Sequence, residues 1–179
     1  MTEIPRILLL GMEGSGKSLF MKRLQQVATE GFDTNFKSIP STVPTVGNNI
    51  INLTMSKGDY EFREIGGSMA PIWGKYLKDA DALIYMIDFS NQFQISSSCI
   101  MLLTLLSNED LSEKKVLLIF NKKDSTGTIS LTELKKIYRL SDLSQYGNFS
   151  LKVVECSCVT KYGFDDVIEW LENVTVPQL

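Results

Sequence analysis

The 179-residue chain contains no histidine. That one absence removes Ser-His-Asp catalysis, Cys-His nucleophiles and His-ligated zinc together. Cysteine is scarce as well. Cys99, Cys156 and Cys158 are odd in number and lack the spacing of a disulfide framework. Cys156 and Cys158 stand two apart in a strand-like run. They are expected to be small buried residues, one toward each side of a sheet, not a metal or redox pair. No run approaches 18 consecutive apolar residues, so no membrane-spanning helix is expected. The N-terminal apolar stretch is too short for a signal peptide and has no basic leader. Thr2 excludes N-myristoylation, and the C-terminal "NVTVPQL" offers no cysteine for prenylation. A cytoplasmic protein without its own lipid anchor is expected. Basic excess is also missing, with 18 Lys and Arg against 21 Asp and Glu, net charge −3 and pI about 5.1. No nucleic-acid partner is expected from such a balance.

What is present suits one domain spanning residues 1–179, with 44% apolar residues and no linker, repeat or low-complexity tract. Apolar runs of strand length alternate with helix-length periodic segments. "RILLL" (6–10), "ALIYMID" (82–88), "KVLLIFN" (115–121) and "LKVVECS" read as strands, the middle two buried on both faces. "NIINLTM" and "YEFREI" flank "SKGD" as a hairpin. Helices are expected over "KSLFMKRLQQVAT", over "PIWGKYLKDA" with Pro71 in its first turn, over "SSSCIMLLTLLSN" and over "GFDDVIEWLENV". A further helix opens on the capping box of Ser130 and Glu133 and runs to about Leu140, with "SDLSQYGNFS" a loop. Residues 30–47 also read as a loop. The alternation gives a doubly wound α/β fold, a mostly parallel sheet of about six strands with one antiparallel edge strand and helices on both faces.

Two motifs carry chemistry. "GMEGSGKS", Gly11 to Ser18, fits G-x-x-x-x-G-K-[ST] in full, with a buried strand before it and a helix after it. In such a loop Gly14 and Gly16 let the backbone through Glu13 and Ser15 wrap close to phosphate oxygens. The helix N-terminus adds its dipole. Lys17 supplies a cation to the outer phosphates, and the Ser18 hydroxyl is a ligand suited to Mg²⁺. The second motif is "NKKD", Asn121 to Asp124, at the carboxyl end of a buried strand, where open α/β sheets bind ligands. A carboxylate at Asp124 accepts both the ring N–H and the exocyclic amine of guanine, and adenine offers neither there. Lys122 is expected along the base plane and Asn121 between loops. GTP or GDP with Mg²⁺ is therefore the expected ligand.

With these residues in view the chain resembles a small GTPase of the Ras superfamily, within its Arf-like branch, from Arg6 to Glu172. "PTVG" (44–47) resembles the first switch, which implies that Thr45 brings its hydroxyl to Mg²⁺ and its N–H to the γ-phosphate. The segment from Gly47 to Gly67 has the length of the Arf interswitch hairpin. "REIGGSM…PIW" resembles the Arf pattern W-D-x-G-G-Q followed by P-L-W, and implies that Gly66 and Gly67 approach the γ-phosphate closely. "SCVT" (157–160) resembles the fifth guanine-binding loop, which implies base contacts from backbone amides near Cys158 and Val159. The loop before Pro71 is about two residues shorter than in Arf proteins, which implies a differently shaped second switch.

Three departures matter. Ser68 stands where the family places the glutamine that orients the attacking water, and serine is too short to reach the same point. Glu64 replaces an aspartate that meets Mg²⁺ through water. Slow intrinsic hydrolysis is expected, with Ser68, Lys17 and Thr45 the residues nearest the chemistry. The family's myristoylated N-terminal helix has no counterpart before the first strand, so recruitment to membranes or a cilium base is expected through partners. The resemblance implies effectors on the switches and interswitch, an exchange factor, an activating protein and a monomeric state. Ile50, Ile51, Ile72, Trp73 and Tyr76 are candidates for an effector face and equally for core. Two other readings stand beside the switch, a nucleotide-holding scaffold that does not cycle and a P-loop nucleotide kinase. Against the kinase, Arg6, Arg23, Arg63 and Arg139 are isolated, with no second phosphate site among them.

Overall fold

The computed structural model describes residues 4–125 and 129–174. Six strands form one sheet in the order β2-β3-β1-β4-β5-β6. They are β1 (Arg6–Gly11), β2 (Asn48–Met55), β3 (Gly58–Ile65), β4 (Ala82–Asp88), β5 (Lys115–Asn121) and β6 (Ser150–Glu155). Only β2 runs antiparallel to its neighbour, and every other pairing is parallel. The expected hairpin and edge strand are therefore present.

The all-apolar strands are sandwiched, because alternate residues face opposite ways. Leu8, Leu10, Leu83, Tyr85, Leu118 and Phe120 pack with α3 (Ile95–Leu106) and α4 (Leu131–Ile137) on one face. Ile7, Leu9, Ile84, Met86, Leu117 and Ile119 pack with α1 (Lys17–Glu30) and α6 (Phe164–Glu172) on the other. The capping box forms as expected, with the Ser130 hydroxyl bonded to the Glu133 N–H and the Glu133 carboxylate to the Ser130 N–H. Among the described residues no helix is long and apolar enough to cross a membrane. The expectation of no helix ahead of β1 concerns residues 1–5, of which 1–3 lie outside the described residues.

Four local expectations are corrected. The helix opening at Leu131 stops at Ile137, and the presumed loop after it holds α5 (Leu140–Tyr146). The break falls at Arg139, whose φ of +50° is left-handed, while Tyr138 and Leu140 on either side are buried. Leu140 and Leu143, three apart, then pack on the core. Pro71 lies inside a 3-10 turn, Gly67–Ile72, and the α-helix after it, α2 (Gly74–Leu77), is only one turn long. Cys156 and Cys158 share one face, with α1 and α6, as residues two apart on an extended chain must. Trp73 is fully buried, so it is core and not effector surface, whereas Ile50 is about half exposed.

Candidate nucleotide-binding site

The phosphate loop hangs between β1 and α1. Gly14 and Gly16 have φ of +79° and +96°, left-handed values that favour glycine. Gly16 also has no room for a side chain, since a Cβ there would stand 2.4 Å from Asn121 Nδ2. Lys17 folds back over the loop and is 6% exposed. Its Nζ donates to the carbonyls of Gly11 at 2.7 Å and Met12 at 3.2 Å. Burial pushes its pKa down to about 8, opposed by the negative charges of Glu64 and Glu13. Ser15 is buried, and its carbonyl accepts from Asn121.

Both glycines of "REIGGSM" sit where nothing larger fits. A Cβ on Gly66 would lie 2.3 Å from the Thr45 carbonyl oxygen, and one on Gly67 would lie 2.3 Å from the Glu13 amide nitrogen. Gly66 N–H donates to Gly47 O at 2.9 Å, and the buried Trp73 indole N–H donates to Gly66 O at 3.2 Å. The paired glycines thus let residues 66–67 close onto the "PTVG" segment and the phosphate loop at once, with Trp73 fixing them from the core side.

Between these loops, oxygen donors converge. Ser18 Oγ lies 2.5 Å from Glu64 Oε1, Thr45 Oγ1 lies 2.9 Å from the same atom, and the two hydroxyls are 3.0 Å apart. Glu64 is 2% exposed. Two hydroxyls and one carboxylate fit a hard divalent cation such as Mg²⁺. These residues line a cleft of about 410 Å³ with Glu13, Gly14, Lys17 and Gly67, and the exposed Ser68 also lines it.

The base side lies at the carboxyl ends of β5 and β6. Asn121 is buried; its Nδ2 donates to Ser15 O at 2.9 Å and its Oδ1 accepts from Cys158 N–H at 3.4 Å. It therefore ties three loops together, as its position in the motif led one to expect. Lys122, at φ +67°, pairs through Nζ with Asp88 Oδ2 at 2.6 Å. The other Asp88 oxygen accepts from Ser90 N–H and Oγ–H. Asp124 is exposed, and its Oδ1 accepts from Ser157 Oγ at 2.5 Å. Ser157 Oγ in turn accepts the N–H groups of Val159 and Thr160. The Cys158 and Val159 amides, read from sequence as base contacts, are thus bonded within and beside their own loop.

Sequence reasoning missed Ser157 and Asp88. Ser157 opens the "SCVT" stretch, and Asp88 is the one charge in the apolar run "ALIYMID", at its carboxyl end. Either feature marks a residue that reaches the site.

Fold, phosphate loop and oxygen cluster together define a P-loop protein of the small-GTPase class. A model of the ADP-ribosylation factor family matches residues 2–175, and the chain belongs to that family. It is 38% identical over 165 residues to human ADP-ribosylation factor-like protein 16, covering 92% of this chain and 83% of that protein. It is 29% identical over 170 residues to ADP-ribosylation factor-like protein 1 of Drosophila melanogaster, covering 94% and 87%. Among solved structures it resembles the Arl6 (BBS3) small GTPase of Trypanosoma brucei with bound nucleotide analogue GppNp. That TM-score is 0.78 with 20% identity, covering 95% of this chain and 96% of the other, a likeness of fold.

Proposed function

We propose that the protein is a single G-domain that works as a guanine-nucleotide switch of the Arf-like type. The observation that carries this reading is the convergence on the phosphate loop of two segments far apart in sequence. Thr45 reaches Ser18 and Glu64, and Gly67 packs against Glu13. In this reading Lys17 and the loop amides hold the phosphates, and Ser18 and Thr45 hold Mg²⁺ with Glu64 beside them. Asp124 reads guanine, backed by Ser157. The ion supplies charge neutralisation at the phosphates. A γ-phosphate reached by Thr45 and Gly67 N–H groups orders both segments, and its loss releases them.

Hydrolysis is slow in this reading because Ser68 replaces the water-orienting glutamine. The off-step is then left to an activating protein or to exchange. Effectors engage the GTP form through the switches and the interswitch, where Ile50 is exposed. A role in membrane or ciliary traffic, with recruitment through partners, follows by analogy with the Arf-like branch. A second reading, a holder of nucleotide that does not cycle, is favoured only by the exposed Ser68.

Limited proteolysis distinguishes the two. A switch gives different cleavage patterns within residues 30–75 with Mg²⁺-GTP and Mg²⁺-GDP. Identical patterns, with both nucleotides bound, contradict a switch.

A further inference from the structure

Four charged side chains are buried among the described residues: Lys17, Arg23, Glu64 and Asp88. Three belong to the site already described. Arg23 does not, and it is 1% exposed in the middle of α1. No carboxylate pairs with it among the described residues. Its Nε donates to the Cys158 carbonyl at 2.9 Å, one terminal nitrogen to the Ser38 carbonyl at 2.7 Å and the other to Gln26 Oε1 at 2.9 Å. The Phe36 ring centroid lies 4.1 Å from the guanidinium carbon. A buried guanidinium is tolerable only while its donors are satisfied. Here Gln26 lies on the same helix, but the two carbonyl acceptors come from separate loops, the base-side loop at Cys158 and the segment that leads into the first switch.

Lys161 repeats the arrangement from the opposite side. Its Nζ donates to the carbonyls of Phe32 and Thr34, and it stands 4.1 Å from the Phe32 ring centroid. Two cations therefore grip one stretch of chain, Arg23 by one carbonyl and Lys161 by two, each also against an aromatic face. Within residues 32–38 the backbone–backbone bonds are otherwise short turns, Thr34 to Gly31 and Lys37 to Asn35. The stretch is held to the body of the protein by these ties, by the Thr34 hydroxyl, which donates to Glu30 and accepts from Gln26 on α1, and by Phe36, edge-on to Phe164 at 5.1 Å.

We propose that Arg23 and Lys161 are positioning residues that tie segment 32–38 to the base-side loop 157–161, so that neither opens without the other and guanine-nucleotide release is set by this double tie. The proposal rests on the nucleotide-binding reading above. Because such coupling is reciprocal, a partner that peels segment 32–38 away loosens the base end without touching it.

Two measurements on the full chain test it. The first is release of fluorescently labelled GDP from Arg23→Gln and Lys161→Gln. Losing hydrogen bonds from a buried or half-buried cation predicts release about tenfold faster in each. The acceleration persists after magnesium is chelated, since the ties act at the base end. The second is hydrogen exchange. Lys161→Gln raises exchange across 32–38, and Phe36→Leu raises exchange across 157–161. If Arg23→Gln fails to fold, the half-buried Lys161 and Phe36 decide the matter. Release within twofold of the parent, with exchange in each loop indifferent to substitution in the other, overturns the proposal. A parent that binds no labelled GDP refutes the nucleotide reading instead, and the exchange data still judge the tie.

Discussion

At the base end each side chain assigned to guanine in the proposed function is held by a second residue. Asn121 is fixed by Ser15 and Cys158, Lys122 by Asp88, and Asp124 by Ser157. In the cleft beside the phosphate loop Ser68 is exposed, and no hydrogen bond holds its side chain among the described residues. The first arrangement is preorganised, so little order is lost on binding. The second has nothing aimed at an attacking water. If the proposed function holds, the contrast makes binding and hydrolysis separable in this molecule, with structure invested in the first.

Breaking the base end should give the largest effects. Asp124→Asn replaces one of the two accepting oxygens with an amide NH2 that donates, leaving one guanine donor facing a donor, and GDP affinity should fall about a thousandfold, with xanthosine diphosphate gaining relative to GDP. Competition binding checks this. Lys17→Met removes the cation at the phosphates and should cost about a hundredfold in GDP affinity.

The same lysine gives a pH dependence. Burial pushes the Lys17 pKa from its ordinary 10.5 down to about 8. Phosphate binds the charged form, so binding takes up a proton above pH 8. Affinity should be flat from this group below pH 8 and fall above it by up to about tenfold per pH unit. Calorimetry in buffers of differing ionisation heat checks the proton uptake, and Lys17→Met should abolish it.

Ser157→Ala should weaken GDP binding about tenfold, since it leaves Asp124 unsupported and two amides without their acceptor. The smallest effect is expected behind the switch. Trp73→Phe keeps most of the buried ring but loses the bond to Gly66 O, at about 1 kcal/mol of unfolding free energy. Chemical denaturation checks it.

Most of the fold was legible because it depends on local pattern. Strands β4 and β5 are unbroken apolar runs, the phosphate loop is a contiguous motif, and the Ser130 capping box is a four-residue signature. What escaped depends on the chain meeting itself. The break at Arg139 is set by Tyr138 and Leu140 needing burial together, not by a glycine or proline. Trp73 looked like surface or core with equal right until the fold placed it beneath Gly66. Arg23 carries no motif, and its importance comes from carbonyls at Ser38 and Cys158 that only tertiary structure brings to it. The two glycines were readable as close approaches, but their neighbours Thr45 and Glu13 were not readable from spacing.

The most direct test of the account is single-turnover hydrolysis of pre-bound GTP with Mg²⁺, comparing the parent with Ser68→Gln. The account predicts a parent well below the roughly 10⁻⁴ s⁻¹ of an intrinsic small-GTPase reaction, and a variant at least about tenfold faster. A parent that hydrolyses at that rate or above, with no gain from glutamine, would contradict it and make "REIGGSM" a competent hydrolytic site.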